Sequence, residues 1–145
     1  MLYIKGDVNM VQLNKYLKEI GIDENYWLFD QKTKSIDDRY NPDEEGFVDA
    51  EFFSLDTSLS LYIYSQLCYF REYCSYCSVP MGMEEEKWHS ILNKMIEAFK
   101  LMIIDDGKNI DFVDPRTREQ YNKNKEKKIR YGLRLFIKYY RCLWY

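Results

Sequence analysis

The chain contains few of the residues that break secondary structure and few of those that catalyse reactions. Its 145 residues include only 6 Gly, 3 Pro and 1 His, whereas aromatic side chains make up 17%. Disordered chains lack enough apolar and aromatic surface to offset the entropy lost on ordering, so this composition predicts a folded rather than a disordered chain. We expect one folded domain over 1–145, with an acidic N-terminal portion (1–51) and a helical core (52–145).

Long apolar runs are also absent. No stretch approaches the ~20 apolar residues that a membrane-spanning helix needs. The opening residues, MLYIKGDVNM, lack the cationic and apolar regions of a signal peptide. Four cysteines without a secretion signal are typical of reduced thiols in a cytoplasm. We therefore expect a cytoplasmic protein with no membrane partner.

Motifs for catalysis are missing as well. The sequence has no glycine-rich phosphate loop, no HExxH and no nucleophile elbow. Acidic residues are numerous, but they fall in predicted loops, whereas metal-dependent hydrolases need converging acids on rigid elements. The lone His89 is predicted to be a surface or partly buried residue. These absences favour a non-enzymatic protein without a cofactor or metal, although they do not exclude an enzyme.

The pair Cys74-x-x-Cys77 is the nearest approach to a chemical motif. A zinc site needs four ligands, so His89 and two distant cysteines would have to converge on this pair. A redox dithiol normally lies at a helix N-terminus, where the dipole lowers the thiol pKa, and this pair follows a helix C-terminus. We predict buried or half-buried thiols in a connection between two helices.

Hydrophobic spacing predicts a mainly α fold, a bundle of about four helices with a small N-terminal β element. Asn9 is predicted to begin the first helix, with Gln12 in a capping box and Gly21 as the stop. The second helix is predicted to begin near Ser54 or Asp56. Its apolar positions fall at steps of three and four: Leu55, Leu59, Ile63, Leu67, Phe70 and Cys74.

The third and fourth helices have clearer patterns. EEEKW opens the third helix, and its predicted buried face is Trp88, Ile91, Leu92, Met95, Ile96, Phe99 and Met102. Asp114-Pro115 opens the last helix. Gly132 falls inside that helix, where it costs about 1 kcal/mol relative to Ala, so another helix is expected to cross there. Short strands are predicted at Leu2–Lys5 and, unless it is a buried turn, at Tyr26–Asp30. Trp88, Phe99, Phe136 and Trp144 are expected in or near the core.

The charge is divided unevenly along the chain. Residues 115–145 hold ten Lys or Arg against two Glu, a balance of +8, so the rest carries −11 within the net −3. We call six cations of the last helix the basic stripe: Lys123, Lys127, Arg130, Arg134, Lys138 and Arg141. The most acidic segment, 37–51, includes Asp37, Asp38, Asp43, Glu44 and Glu45. Both sets are candidate binding residues, and solvation or mutual pairing is the alternative.

Three stretches resemble a group of small uncharacterised bacteriophage proteins. They are FFSLDTSLSLYIYSQLCYFREY (52–73), WxxILxxMIxxF from Trp88, and GLxLFxKYYxxLW from Gly132. The resemblance covers about the last two-thirds of the chain and concerns core positions, so it implies a shared fold and a phage or prophage origin. It carries over no activity and no site residue.

The resemblance and the opposed charges together predict a phage protein that binds and inhibits a host protein or ribonucleoprotein. An inhibitor of a bacterial immune effector, similar to anti-CRISPR proteins, is the most specific form of this hypothesis. The acidic segment would mimic nucleic acid, or the basic stripe would dock to an acidic groove. The alternative is a phage accessory protein that binds nucleic acid directly through the last helix. The tyrosines and charges are compatible with a dimer without requiring one.

Overall fold

A computed structural model describes residues 11–29, 55–104 and 114–144. This part of the chain is 74% helical, with four α-helices and no strand, consistent with the predicted mainly α helical bundle. The helices are α1 (Lys15–Glu19), α2 (Leu55–Tyr73), α3 (Glu85–Ile103) and α4 (Pro115–Tyr139). The predicted strand at Leu2–Lys5 and the acidic residues Asp37, Asp38, Asp43, Glu44 and Glu45 lie outside the described residues.

The chain divides into two compact units, Met1–Tyr62 and Ile63–Tyr145. In the first unit, residues 26–29 form a turn, so the turn interpretation of this segment is correct and the strand interpretation is wrong. The backbone N–H of Phe29 donates to the carbonyl of Tyr26 across 2.8 Å, which closes the turn. The ring of Tyr26 packs against Trp27 and Phe29 with centroids 5.7 and 6.2 Å away.

Helix α1 begins later than predicted. Its N-cap is Asn14, whose side-chain oxygen accepts from the N–H groups of Tyr16 and Leu17 at 3.0 and 3.2 Å. Asn9, the predicted cap, lies outside the described residues. Both positions are asparagine, and the residue that satisfies the free N–H groups of the first turn determines where the helix starts.

Gly21 ends this helix as predicted. Its φ of 86° is left-handed, a conformation that glycine adopts without a Cβ penalty. The N–H of Ile22 donates to the carbonyl of Leu17, and the N–H of Gly21 donates to that of Lys18. These two bonds define a Schellman motif, and both apolar residues that flank it, Leu17 and Ile22, are buried.

Helix α3 matches its sequence pattern closely. Six of the seven predicted core positions are buried, and Met102 is half-buried. Glu85 and Glu86 occupy the first turn, where the helix dipole favours negative charge. Trp88 and Phe99 are thus confirmed as core residues.

Helices α3 and α4 pack against each other in the second unit. A Cβ built on Gly132 would overlap the Cβ of Ala98 and lie 2.5 Å from the carbonyl oxygen of Lys94. Edge-to-face ring pairs continue the contact, with Phe99 on Phe136 at 5.1 Å and Trp88 on Tyr139 at 5.7 Å. The predicted helix crossing at Gly132 is therefore confirmed.

The prediction that Trp144 lies in the core is wrong, because its side chain is 67% exposed. Helix α4 ends at Tyr139, and a 3₁₀ turn over Tyr140–Cys142 follows. A 3₁₀ turn advances about 120° per residue rather than 100°, so residues beyond it leave the phase of the apolar face. Phe136, which precedes the turn, is half-buried against Phe99.

Candidate binding surface on helix α4

All six residues of the basic stripe are exposed. Gly132 is the one buried residue of α4, and Arg130 and Arg134 each lie two residues from it. Two residues correspond to about 200° around an α-helix, so these side chains project away from α3. The contact at Gly132 therefore places the stripe on the outer side of the helix.

Both glutamates of α4 form ion pairs with cations of the basic stripe. The ammonium of Lys123 lies 2.9 Å from the carboxylate of Glu119, and the guanidinium of Arg130 lies 3.0 Å from that of Glu126. A shallow open depression in the first half of the helix is lined by residues of both positive and negative charge, including Arg118 and Glu119. Exposed pairs at i,i+4 contribute only about 0.3–0.5 kcal/mol each, so they neutralise charge more than they stabilise the fold.

The C-terminal half carries uncompensated positive charge. Residues 127–144 contain six Lys or Arg and no acid, and Arg130 is the one of these cations that pairs with an acid, Glu126, among the described residues. Among the described residues, no ion pair involves Lys127, Arg134 or Arg141. From Lys127 to Lys138 this charged face extends about 16 Å along the helix axis. The part of the stripe that could attract an anionic partner is thus its C-terminal half.

Aromatic side chains border this half, as a nucleic-acid surface would require. Tyr131 is exposed, and the ammonium of Lys94 lies over its ring, 5.3 Å from the centroid. The ammonium of Lys138 lies 5.2 Å from the centroid of Tyr139. Lys94 belongs to α3 and was not predicted as a site residue. The helix crossing at Gly132 is the sequence signal that could have placed it beside α4.

Cys74 and Cys77 do not share one environment. Cys74 is buried at the end of α2, whereas Cys77 is exposed in a 3₁₀ turn over Ser75–Cys77. The prediction of buried or half-buried thiols is correct for Cys74 and wrong for Cys77, because the turn directs the second thiol outward. No disulfide links any of the four cysteines, all of which the structure describes, and the described residues contain no cluster of His, Cys, Asp and Glu suited to a metal ion.

His89 is half-buried, as predicted, and has an unforeseen partner in Ser75. The Nε2 atom of His89 lies 2.8 Å from the Oγ of Ser75, which also donates to the carbonyl of Arg71 at 2.8 Å. A hydroxyl has one proton, so Ser75 accepts the hydrogen bond from His89. A general base would need an unprotonated nitrogen facing this hydroxyl.

Glu85 does not complete a catalytic triad either. Its carboxylate lies 3.9 Å from the same Nε2 of His89, whereas a triad acid would hold the opposite ring nitrogen. Ser75 is also fully buried. This cluster therefore connects the end of α2 to the first turns of α3 as a structural element.

No protein-family model, curated protein or solved structure matches this sequence. The described helices also include none that is both long enough and apolar enough to cross a membrane.

Proposed function

We propose that this protein is a phage-encoded, non-enzymatic inhibitor that binds a host protein or ribonucleoprotein through the C-terminal half of the basic stripe. A bacterial immune effector, blocked as anti-CRISPR proteins block theirs, is the most specific target. The observation that carries the proposal is the run of exposed cations after Glu126 without an acid up to Trp144.

Two further features support binding through this face. Helix α4 lies close against Lys94 and Ala98 of α3, which fixes the position of its backbone. The exposed side chains of α4 are therefore attached to an ordered helix. Preorganised cations lose less entropy on binding than cations on a mobile segment. Like charges on one face also steer an oppositely charged partner and raise its association rate.

The direct test is recovery of a host partner with a charge-reversal variant and a matched control. Lys127→Glu, Arg130→Glu and Arg134→Glu together reverse the C-terminal half of the stripe. Lys15→Glu, Lys18→Glu and Lys87→Glu make the same change in net charge at exposed positions elsewhere. Circular dichroism should show both triple variants folded.

We expect the wild type and the control to retain the same specific host protein and to restore phage plaques in bacteria with an active CRISPR system. The α4 variant should lose both activities. If no specific host protein is recovered and plaques are not restored, the inhibitor proposal is wrong. If the α4 variant retains both activities, the binding surface lies elsewhere.

Direct nucleic-acid binding is the second candidate, and the tyrosines beside the cations favour it. Bases stack on aromatic rings while Lys and Arg contact phosphates, and each neutralised phosphate releases counterions. A gel shift with single-stranded and duplex DNA and RNA should then weaken strongly between about 50 and 200 mM salt. Binding that is unaffected by reversal of Lys127, Arg130 and Arg134 would contradict this candidate.

A further inference from the structure

The first turns of helix α2 have large and small side chains on unexpected sides. Leu55 and Leu59 are 45% and 39% exposed, whereas Ser58 and Ser60 are 0% and 5% exposed. Burying leucine stabilises a protein, and burying a hydroxyl is unfavourable unless it is hydrogen-bonded. The predicted apolar stripe is therefore wrong at its first two positions, and the exposed leucines require an explanation.

The exposed side chains of this region follow a heptad spacing. They succeed one another at steps of four, three, four, three, four and three along the continuous helix and the turn after it. We call these seven positions the α2 seam: Leu55, Leu59, Tyr62, Gln66, Tyr69, Tyr73 and Tyr76. Over 55–76 the only other exposed residues are Asp56 and Glu72. Alternating steps of four and three are the spacing of the interface residues where two helices pack as a coiled coil.

We propose that the α2 seam binds the same seam of a second copy of this chain, antiparallel, across a two-fold axis at Gln66. The seam is nearly symmetric about this residue, since Leu59 lies seven positions before it and Tyr73 seven after it. An antiparallel pair sets the leucine half of one copy against the tyrosine half of the other. The outer layers then join a leucine to a tyrosine, Leu55 to Tyr76 and Leu59 to Tyr73, which favours even packing, and Tyr62 lies opposite Tyr69.

The area of the seam fits a dimer. Six of its side chains are leucine or tyrosine with exposed fractions from 37% to 63%. Partly exposed side chains of this size offer on the order of 100 Å² each, so the seam offers roughly 700 Å² per copy, close to the ~800 Å² of a standard interface. Pairing would bury the leucines that the single chain leaves in water.

The charges also fit a second copy better than an anionic or a cationic partner. The seam itself has no formal charge, and Arg71 beside it donates to the side-chain oxygen of Asn93 at 2.7 Å. In the antiparallel pair, Glu72 lies twelve positions along the axis from its copy, or about 18 Å, beyond the ~8–10 Å Debye length. Gln66 would face the second copy's Gln66, and two amides can hydrogen-bond each other.

Molar mass in solution tests the proposal. Light scattering on the full chain should give twice the 17.7 kDa monomer mass at about 100 µM, a concentration at which a micromolar dimer is formed. Tyr69→Lys with Tyr73→Lys should give the monomer mass with an unchanged helical spectrum. Tyr131→Lys with Tyr140→Lys, an equal change at exposed tyrosines of α4 and of the turn after it, should leave the dimer intact.

Disulfide formation between two copies tests the antiparallel geometry, and it requires a smaller change to the α2 seam than two lysines do. In a Cys77→Ser, Cys142→Ser background, Gln66→Cys should form a disulfide with its own copy under gentle oxidation, and Leu55→Cys should not. A monomeric wild type, or a dimer that survives the Tyr69 and Tyr73 substitutions, overturns the proposal. Efficient self-linking by Leu55→Cys overturns the antiparallel arrangement.

Discussion

Helices α2 and α3 have the same length of 19 residues, but the first turns of α2 differ from α3 in the relation between side-chain size and burial. Helix α3 buries Trp88, Leu92 and Met95 completely and exposes charged side chains at positions such as Lys94. Helix α2 buries Ser58 and Ser60 while it exposes Leu55 and Leu59. An apolar stripe in a sequence therefore indicates a helix face that is favourable to bury, and it does not show which residues of that face the same chain covers.

The largest expected difference separates two leucines, one from each helix. Leu92→Ala in α3 should lower the free energy of unfolding by about 2–5 kcal/mol, because it removes a fully buried side chain and leaves a cavity. Leu59→Ala in α2 should lower it by less than ~1 kcal/mol, because much of that side chain already contacts water. Urea denaturation at low protein concentration, where a dimer does not contribute, measures both. Equal costs would contradict the assigned faces.

The second largest effect on stability is expected at the contact between α3 and α4. Gly132→Ala should destabilise the protein by about 1–3 kcal/mol, although alanine is favoured by ~1 kcal/mol in a helix, because the added methyl collides with Ala98 and Lys94. Thermal denaturation of this variant, of Ala98→Gly and of the double variant gives the coupling energy. Additive costs would show that the two helices do not touch at this point.

A smaller effect is expected where the end of α2 meets the start of α3. Ser75→Ala and His89→Ala should each cost about 1 kcal/mol, because each removes the 2.8 Å hydrogen bond between the two side chains. The double variant should cost less than the sum, since the bond is lost only once. Chemical denaturation of the four proteins checks this, and His89→Asn, which retains a donor, should recover part of the loss.

The smallest effect concerns the buried serines of α2. The hydroxyl of Ser60 donates to the carbonyl of Asp56 at 2.7 Å, one turn earlier. Such a bond competes with the helix backbone, so Ser60→Ala should change stability by less than ~0.5 kcal/mol and favour the helix slightly. A change this small in a denaturation experiment would indicate that the small size of Ser60, rather than its hydroxyl group, is what this buried position requires. A loss above ~1 kcal/mol would give the hydroxyl a larger structural role.

Sequence patterns predicted α3 well because its apolar residues form one stripe among charged neighbours. The start of α4 at Pro115 and the crossing at Gly132 were equally predictable, since each rests on the special backbone chemistry of one residue. The buried face of helix α2 was harder to predict because this helix has apolar and aromatic residues on more than one side. Periodicity therefore did not decide which of two faces is buried. The choice depends on what packs there, and the sequence of one helix does not contain that information.

The candidate surface was predictable in outline only. All six cations of the basic stripe are exposed, five of them on α4 and Arg141 in the 3₁₀ turn after it. Helical spacing did not show that Glu119 and Glu126 pair with Lys123 and Arg130. Among the described residues, this leaves four cations of the stripe without an ion pair: Lys127, Arg134, Lys138 and Arg141. The role of the acidic segment stays a prediction, because Asp37, Asp38, Asp43, Glu44 and Glu45 lie outside the described residues.

The hydrogen atom that serves as the side chain of Gly132 sets the rotational phase of helix α4. Turning the helix by one residue, about 100°, would bring the Cβ of Tyr131 or Leu133 toward the space beside the Lys94 carbonyl, and that space has no room for a carbon atom. The helix therefore has one orientation in which it can lie this close to α3. In that orientation the five cations of the basic stripe that belong to α4 point outward, so the smallest residue of the helix determines where its charged side chains are presented.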